Sequence, residues 1–259
     1  MVTEVSGLVL KSVNLGEADR LITVFTKEMG NVSALVKGAR SLKNRNMTAT
    51  QQFCYSSMIL FKKGDKYWVR ESNLIESFFG LRDSIEALGL AGYIVDVLAD
   101  VTTAEAEADL LRLALNSLYA ISTGKYSLPA VKAAFEMRAA SILGFMPDVL
   151  GCTECGERRG EFFFDIMGGY VECPACRKRR AATEVPDPED RERHIVRILS
   201  EPAHAALSYA IHSPLERLFS FKLTDEDQRL FSLAAEDYIT NQLERSFKTL
   251  DFYNKVKRD

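Results

Sequence analysis

At 259 residues and 47% apolar composition, the chain can bury a core as one large domain or as two to three smaller ones. Its net charge of −3 points to no polyanion partner. No run approaches the roughly 18 consecutive apolar residues of a membrane span, and residues 1–20 lack the basic-then-apolar pattern of a signal peptide, so no membrane association is expected.

The first 79 residues read as strands. Short runs rich in Val, Ile, Leu, Thr and aromatics fall at 7–14, 20–27, 32–37, 55–62 and 67–71, separated by turn residues around Gly16, Gly30 and Gly64. Five short strands in about 80 residues predict a small barrel of the oligonucleotide/oligosaccharide-binding (OB) type. Charge is uneven here. Residues 1–79 carry 11 Lys/Arg against 7 Asp/Glu, and no acidic residue lies between Glu28 and Asp65. Lys37, Arg40, Lys43 and Arg45 therefore form a basic loop between the third and fourth strands, with Lys62 and Lys63 nearby. Cations so spaced suit a phosphate backbone better than one small ligand, although a solvated loop would look the same. Cys54 sits alone in an apolar run and is expected in the core.

From Leu81 the apolar period becomes helical. Helices are expected from about 81 to 98, 105 to 122 and 127 to 143, with Ser127 as N-cap ahead of Pro129 and Gly144 as stop. Residues 181–193, rich in Pro and charge, read as a linker. Further helices are expected over 194–207, 214–221 and 225–248, the last opened by Thr224 with Asp227 three residues on. Four segments follow: 1–79 barrel, 80–150 helical, 151–183 cysteine module, 184–259 helical. The fold class is thus β plus α, an N-terminal OB barrel followed by a helical part with an inserted four-cysteine module.

Cys152, Cys155, Cys173 and Cys176 form C-x-x-C, seventeen residues, C-x-x-C. The intervening stretch is long enough for a hairpin that brings two tight turns together. Four converging thiolates make a closed tetrahedral site suited to structural zinc, with no open position for catalysis. The competing reading is two redox pairs, but a redox C-x-x-C opens a helix in a βαβ unit, whereas Pro174 and the surrounding glycines resemble zinc-knuckle turns. Reduced thiols without an export signal point to the cytoplasm. A second cationic run, Arg177 to Arg180, follows the last cysteine.

Catalytic constellations are missing. There is no phosphate-binding loop, nucleophile elbow or H-E-x-x-H. His194, His204 and His212 lie outside the cysteine set and are read as surface or satisfied helix residues.

Two blocks carry a family resemblance. The first is Gly7-Leu8-Val9-Leu10-Lys11, Gly16-Glu17-Ala18-Asp19-Arg20-Leu21-Ile22-Thr23-Val24-Phe25-Thr26 and Lys37-Gly38-Ala39-Arg40. The second is Phe135-Glu136-Met137-Arg138, Leu143-Gly144-Phe145-Met146-Pro147 and Cys152-x-x-Cys155-Gly156. Together they resemble RecO, the bacterial recombination-mediator and repair family, over nearly the whole chain. The resemblance implies a non-enzymatic cytoplasmic, nucleoid-associated protein that binds single- and double-stranded DNA and anneals complementary strands. It also implies partners: RecR, with which RecA is loaded onto DNA coated by single-strand-binding protein (SSB), and the SSB C-terminal tail. Phe25, Phe53, Tyr55, Tyr67 and Trp68 are candidates to stack bases where they face outward. The alternative is a zinc-ribbon adaptor acting on RNA or in transcription. A metal-dependent nuclease or hydrolase is disfavoured by four cysteine ligands.

Overall fold

Alternating apolar residues close the first five strands into a barrel in the computed structural model, which describes residues 2–41, 43–102, 107–183 and 195–257. The strands are β1 (Val2–Leu15), β2 (Asp19–Thr26), β3 (Gly30–Val36), β4 (Tyr55–Lys63) and β5 (Lys66–Glu76), in the closed order β1-β2-β3-β5-β4. Only β3 and β5 run parallel, with Ala34 beside Tyr67 and Leu35 beside Trp68. This is the OB strand order. Val5, Val9, Ile22, Val24, Val32, Ala34, Val36, Met58, Leu60 and Val69 fill the interior, every second residue along each strand. Gly7 is required where β1 crosses β2, since a Cβ there would lie 2.5 Å from the Val24 side chain and 2.7 Å from the Phe25 carbonyl. As expected, Cys54 is buried.

The fold divides into two compact units, residues 1–124 with 247–259, and 125–246. Both the 80–150 and the 184–259 segments contribute to each unit. In the first, α1 (Ile85–Val101) starts at Ser84, whose hydroxyl accepts from the Ala87 N–H at 2.9 Å, and α2 (Ala108–Thr123) ends on Gly124 at φ 63°. Residues 103–106, including the expected start of α2 near Glu105, lie outside the described residues.

The second unit packs α3 (Leu128–Ile142) against two later helices beside a three-stranded sheet of β6 (Phe162–Asp165), β7 (Tyr170–Glu172) and β8 (Val196–Leu199). Three helix expectations change. The stretch expected to be helical from 194 begins as β8, which pairs with β6 in the register Phe162–Leu199; α5 (Glu201–His212) starts only after Ser200, which caps it. The expected helix over 214–221 is a single 3-10 turn, Leu215–Arg217. The long helix over 225–248 is two. α6 (Asp225–Gln242) is capped by Thr224 as expected, and the chain then turns through Glu244 at φ 51° before α7 (Lys248–Val256), which packs on α1 in the first unit. α4 (Pro174–Thr183) extends into the expected linker; residues 184–193, and His194 beside them, lie outside the described residues.

Charge in the core of the second unit comes from Lys132, which is 3% exposed and lies 2.7 Å from both Glu136 and Glu236. Burial works against its charged form, but the two carboxylates outweigh it and hold the ammonium above the ordinary lysine range. His204 is buried as well. Its Nε2 lies 2.8 Å from the Val149 carbonyl oxygen and its ring 4.2 Å from that of Phe162.

Candidate functional site

The four cysteines meet at one point of the second unit. Cys152 and Cys155 lie on a turn ahead of β6 in which the Cys152 N–H donates to the Glu157 carbonyl and the Gly156 N–H to the Cys152 carbonyl. Gly151 lets this turn close, because a Cβ there would stand 2.8 Å from the Glu157 carbonyl. The hairpin β6–β7 returns the chain to Cys173, and Cys176 sits in the first turn of α4. The second pair is therefore at a helix start and not on an isolated knuckle turn, yet it does not stand as a separate dithiol. All four Sγ atoms lie within 4.8 Å of one another, with three of the four residues buried.

The arrangement suits a metal ion. Zinc–sulfur bonds of about 2.3 Å in a tetrahedron set sulfurs about 3.8 Å apart, and Cys155 Sγ and Cys173 Sγ are 3.8 Å apart. At Cys152, burial opposes ionisation, but backbone N–H groups of Cys173, Cys155 and Glu154 outweigh it and bring the thiol to about 7. At Cys176, burial followed by the neighbouring sulfurs pushes the thiol up to about 12. The protein alone thus favours ionisation of one cysteine and resists it at another; a cation bound among them favours all four thiolates. Arg179 donates to Cys176 Sγ at 3.0 Å, and Arg180 grips the buried Glu172 carboxylate with two bonds of 2.9 and 2.6 Å. Arg177 also faces Glu172 and lies over the Phe163 ring, so much of the Arg177–Arg180 run is engaged internally.

The basic loop belongs to the barrel, where hydrogen bonds tie it to the strands. Asn44 Nδ2 donates to the Lys37 carbonyl at 2.8 Å, the Gly38 N–H to the Asp19 carboxylate at 2.8 Å, and the Ser72 N–H and hydroxyl to buried Asn46 Oδ1 at 2.8 and 2.9 Å. Lys37, Arg40, Lys43 and Arg45 are all exposed on it, and Lys62 and Lys63 are exposed at the end of β4. None of the six pairs with a carboxylate among the described residues. Arg40 donates to the Gly16 carbonyl at 3.2 Å, and the Lys62 ammonium lies 5.6 Å from the centre of the Tyr67 ring.

Of the candidate stacking aromatics, Phe25 and Phe53 are buried, 0% and 7% exposed, so they cannot meet a base. Phe25 shares the outward phase of Leu21 and Thr23 on β2 yet is fully covered, and Phe53 lies in the loop ahead of β4, so strand alternation alone does not reveal the burial of either. Tyr55, Tyr67 and Trp68 are partly exposed, with Tyr67 leaning on the barrel core. Phe61 is not among the aromatics singled out from the sequence, yet its ring stacks on Trp68 with centres 6.2 Å apart. Its position between inward-facing Leu60 and exposed Lys62 is the signal the sequence offers.

An OB barrel whose loop cations pair with no carboxylate among the described residues is thus joined in one chain to a helical unit with a four-cysteine module, a class of two-part barrel-and-helix proteins. Similarity to known proteins narrows the class. Residues 1–78 match the family model "Recombination protein O N terminal" and residues 82–251 match "Recombination protein O C terminal". The chain is 36% identical over 256 residues to the DNA repair protein RecO of Acetivibrio thermocellus, covering 98% of this chain and 96% of that protein. It is 26% identical over 253 residues to the RecO of Caldicellulosiruptor saccharolyticus, covering 97% of each. It is 29% identical over 178 residues to that of Alkaliphilus metalliredigens, covering 68% of this chain and 72% of that protein. The chain belongs to the RecO family of DNA repair proteins. No helix among the described residues is long and apolar enough to cross a membrane.

Proposed function

We propose that this protein is a recombination mediator that binds single- and double-stranded DNA, anneals complementary strands and, with RecR, helps load RecA onto SSB-coated single strands in the cytoplasm. The observation that carries the reading is the set of six exposed cations on the OB barrel that pair with no carboxylate among the described residues. Unpaired surface cations are available to replace the counterions of a phosphate backbone. Family membership favours DNA over the RNA or transcription adaptor. The function is non-enzymatic, because annealing needs charge neutralisation and alignment of strands but no bond-breaking group. Cys152, Cys155, Cys173 and Cys176 hold a structural zinc, which supplies cross-linking of the turn, the hairpin and α4. An apolar groove of about 510 Å³ in the first unit, lined in part by Leu10, Phe53, Leu88 and Phe252, carries Lys11 and Lys248 and one carboxylate, Asp96, 3.8 Å from the Lys11 ammonium; we assign to it an acidic SSB tail ending in an apolar residue, held by the apolar lining and Lys248.

The test is a Lys37→Ala/Arg40→Ala/Lys43→Ala/Arg45→Ala variant titrated with DNA at several salt concentrations. Affinity should fall about equally for different sequences. The salt slope should flatten by roughly 0.7–0.9 for each phosphate no longer neutralised. Unchanged affinity and slope would reduce the loop to a solvated surface.

A further inference from the structure

The outward face of the barrel carries a line of apolar side chains that no core packing requires. Successive strand registers place Val13 beside Leu21, Leu21 beside Leu35, Leu35 beside Trp68, Trp68 beside Phe61 and Phe61 beside Val2. The line leaves β1 at Val2 and meets it again at Val13, winding round the barrel. Val2 and Val13 are 60% exposed and Leu21 41%, while Leu35, Phe61 and Trp68 are half-buried. These positions alternate with the inward Ala34, Val36, Leu60 and Val69, so a soluble barrel would ordinarily fill them with polar residues.

The middle of the line is aromatic and ringed by cations. The Trp68 and Phe61 rings are stacked at 21°. Two residues along the same strands, on or beside the same face, stand Lys37 after Leu35, Lys63 after Phe61, and Lys66 and Arg70 either side of Trp68, all exposed. Same-face neighbours on a strand are about 6.6 Å apart, and adjacent strands about 4.8 Å. A long cationic side chain can therefore reach a phosphate whose base lies on the rings. Asp65 and Glu71 are the carboxylates on this stretch, and among the described residues neither pairs with these cations.

We infer that Trp68 and Phe61 form a base-stacking platform that selects unpaired nucleotides, with Lys37, Lys63, Lys66 and Arg70 holding the flanking phosphates. The inference rests on the DNA-binding reading above and adds to it a basis for preferring single strands. Base faces are available in single strands and hidden in a duplex, whereas phosphates are presented by both. A protein partner would also be drawn to an apolar line, but four unpaired cations around two stacked rings match a polyanion with flat apolar faces.

Trp68 is the only tryptophan in the chain, so its fluorescence reports the platform directly. The full-length protein is titrated with a 20-nucleotide oligothymidylate and with a blunt duplex of equal length. The single strand should quench Trp68 emission and the duplex should not. By anisotropy with labelled DNA, Trp68→Ala and Phe61→Ala should each weaken the single strand about tenfold and leave the duplex within twofold. Trp68→Phe should keep single-strand affinity, which separates stacking from general damage to the barrel. Equal weakening of both DNAs, or single-strand binding with no change in Trp68 emission, overturns the platform while leaving DNA binding in place. If the unaltered protein binds neither DNA at low salt, the DNA-binding reading fails and the platform with it.

Discussion

The two units use charge in opposite ways. On the barrel loop, the cations stand exposed with no carboxylate partner among the described residues, and neutral hydrogen bonds, donated by Asn44 and accepted by Asn46, fix the loop. In the second unit, charges are spent on each other: Lys132 on Glu136 and Glu236, Arg180 on Glu172, Arg197 on Asp237. Arg138 is turned inward to the Ala210 and Ser213 carbonyls. A partner with many phosphates gains from charges that no carboxylate holds. A unit built round a buried cysteine cluster gains from charges that are satisfied internally. The contrast predicts that substitutions in the second unit act first on stability, and those on the barrel loop act first on binding.

The largest effect should come from the cysteine cluster. Metal analysis of the purified protein should find about one zinc per chain, and Cys173→Ser should lower it. Because metal affinity in such modules is folding free energy, on the order of 10 kcal/mol for small zinc domains, removing a ligand or the metal should unfold the module. Melting unchanged after chelation would show that the second unit stands without a metal.

Next is the buried triad. Glu136→Gln leaves Lys132 with one carboxylate, and breaking a buried pair costs about 3–5 kcal/mol. Glu136 is fully buried and Lys132 nearly so, which places the cost towards the upper part of that range. Denaturant melts should show it, with DNA affinity of the folded protein unchanged. A loss below about 1 kcal/mol would mean that Glu236 alone satisfies the ammonium, weakening the contrast between the units.

On the barrel side, Asn46→Ala touches no cation but removes the acceptor for the Ser72 N–H and hydroxyl. Leaving those donors unsatisfied should cost about 1–3 kcal/mol. DNA affinity should fall too, because the loop then holds its cations less firmly. Reduced stability with full affinity would show that the cations act without a fixed loop.

Some of this was legible in the sequence. The barrel was, because half-buried strands alternate and glycine turns punctuate them. The cysteine module was, because metal geometry constrains spacing. The strand β8 was not: four residues running straight into the Ser200 cap offer too short an alternation to distinguish from a helix start. The break between α6 and α7 was hidden because Glu244 turns the chain at positive φ without a glycine or proline to mark it. Lys132 and Glu136, four apart on a helix, have the spacing common to surface pairs, and nothing in the local sequence marks that α6 brings Glu236 over them. The outward line of Leu35, Trp68 and Phe61 needed the register between strands, a property of the closed barrel and not of any single segment.

The smallest expected effect is a pH dependence in the second unit. Burial holds the His204 ring below the ordinary histidine range despite its bond to the Val149 carbonyl. A histidine depressed in the folded state takes up its proton more readily when unfolded. Its contribution is therefore complete above about pH 6.5 and is lost as the pH falls below that value toward its folded pKa. One proton limits the slope to about 1.4 kcal/mol per pH unit, and partial solvent access makes it smaller. His204→Gln retains a donor for the Val149 carbonyl but does not titrate. Between pH 8 and pH 5.5 the unaltered protein should lose more melting temperature than the variant. Both carry the same four-cysteine cluster, so any acid release of a metal bound there would affect them alike and the difference belongs to His204. Parallel curves would mean that the ring is protonated equally in both states, and that its 2.8 Å approach to the Val149 carbonyl survives in the imidazolium form with the ring donating.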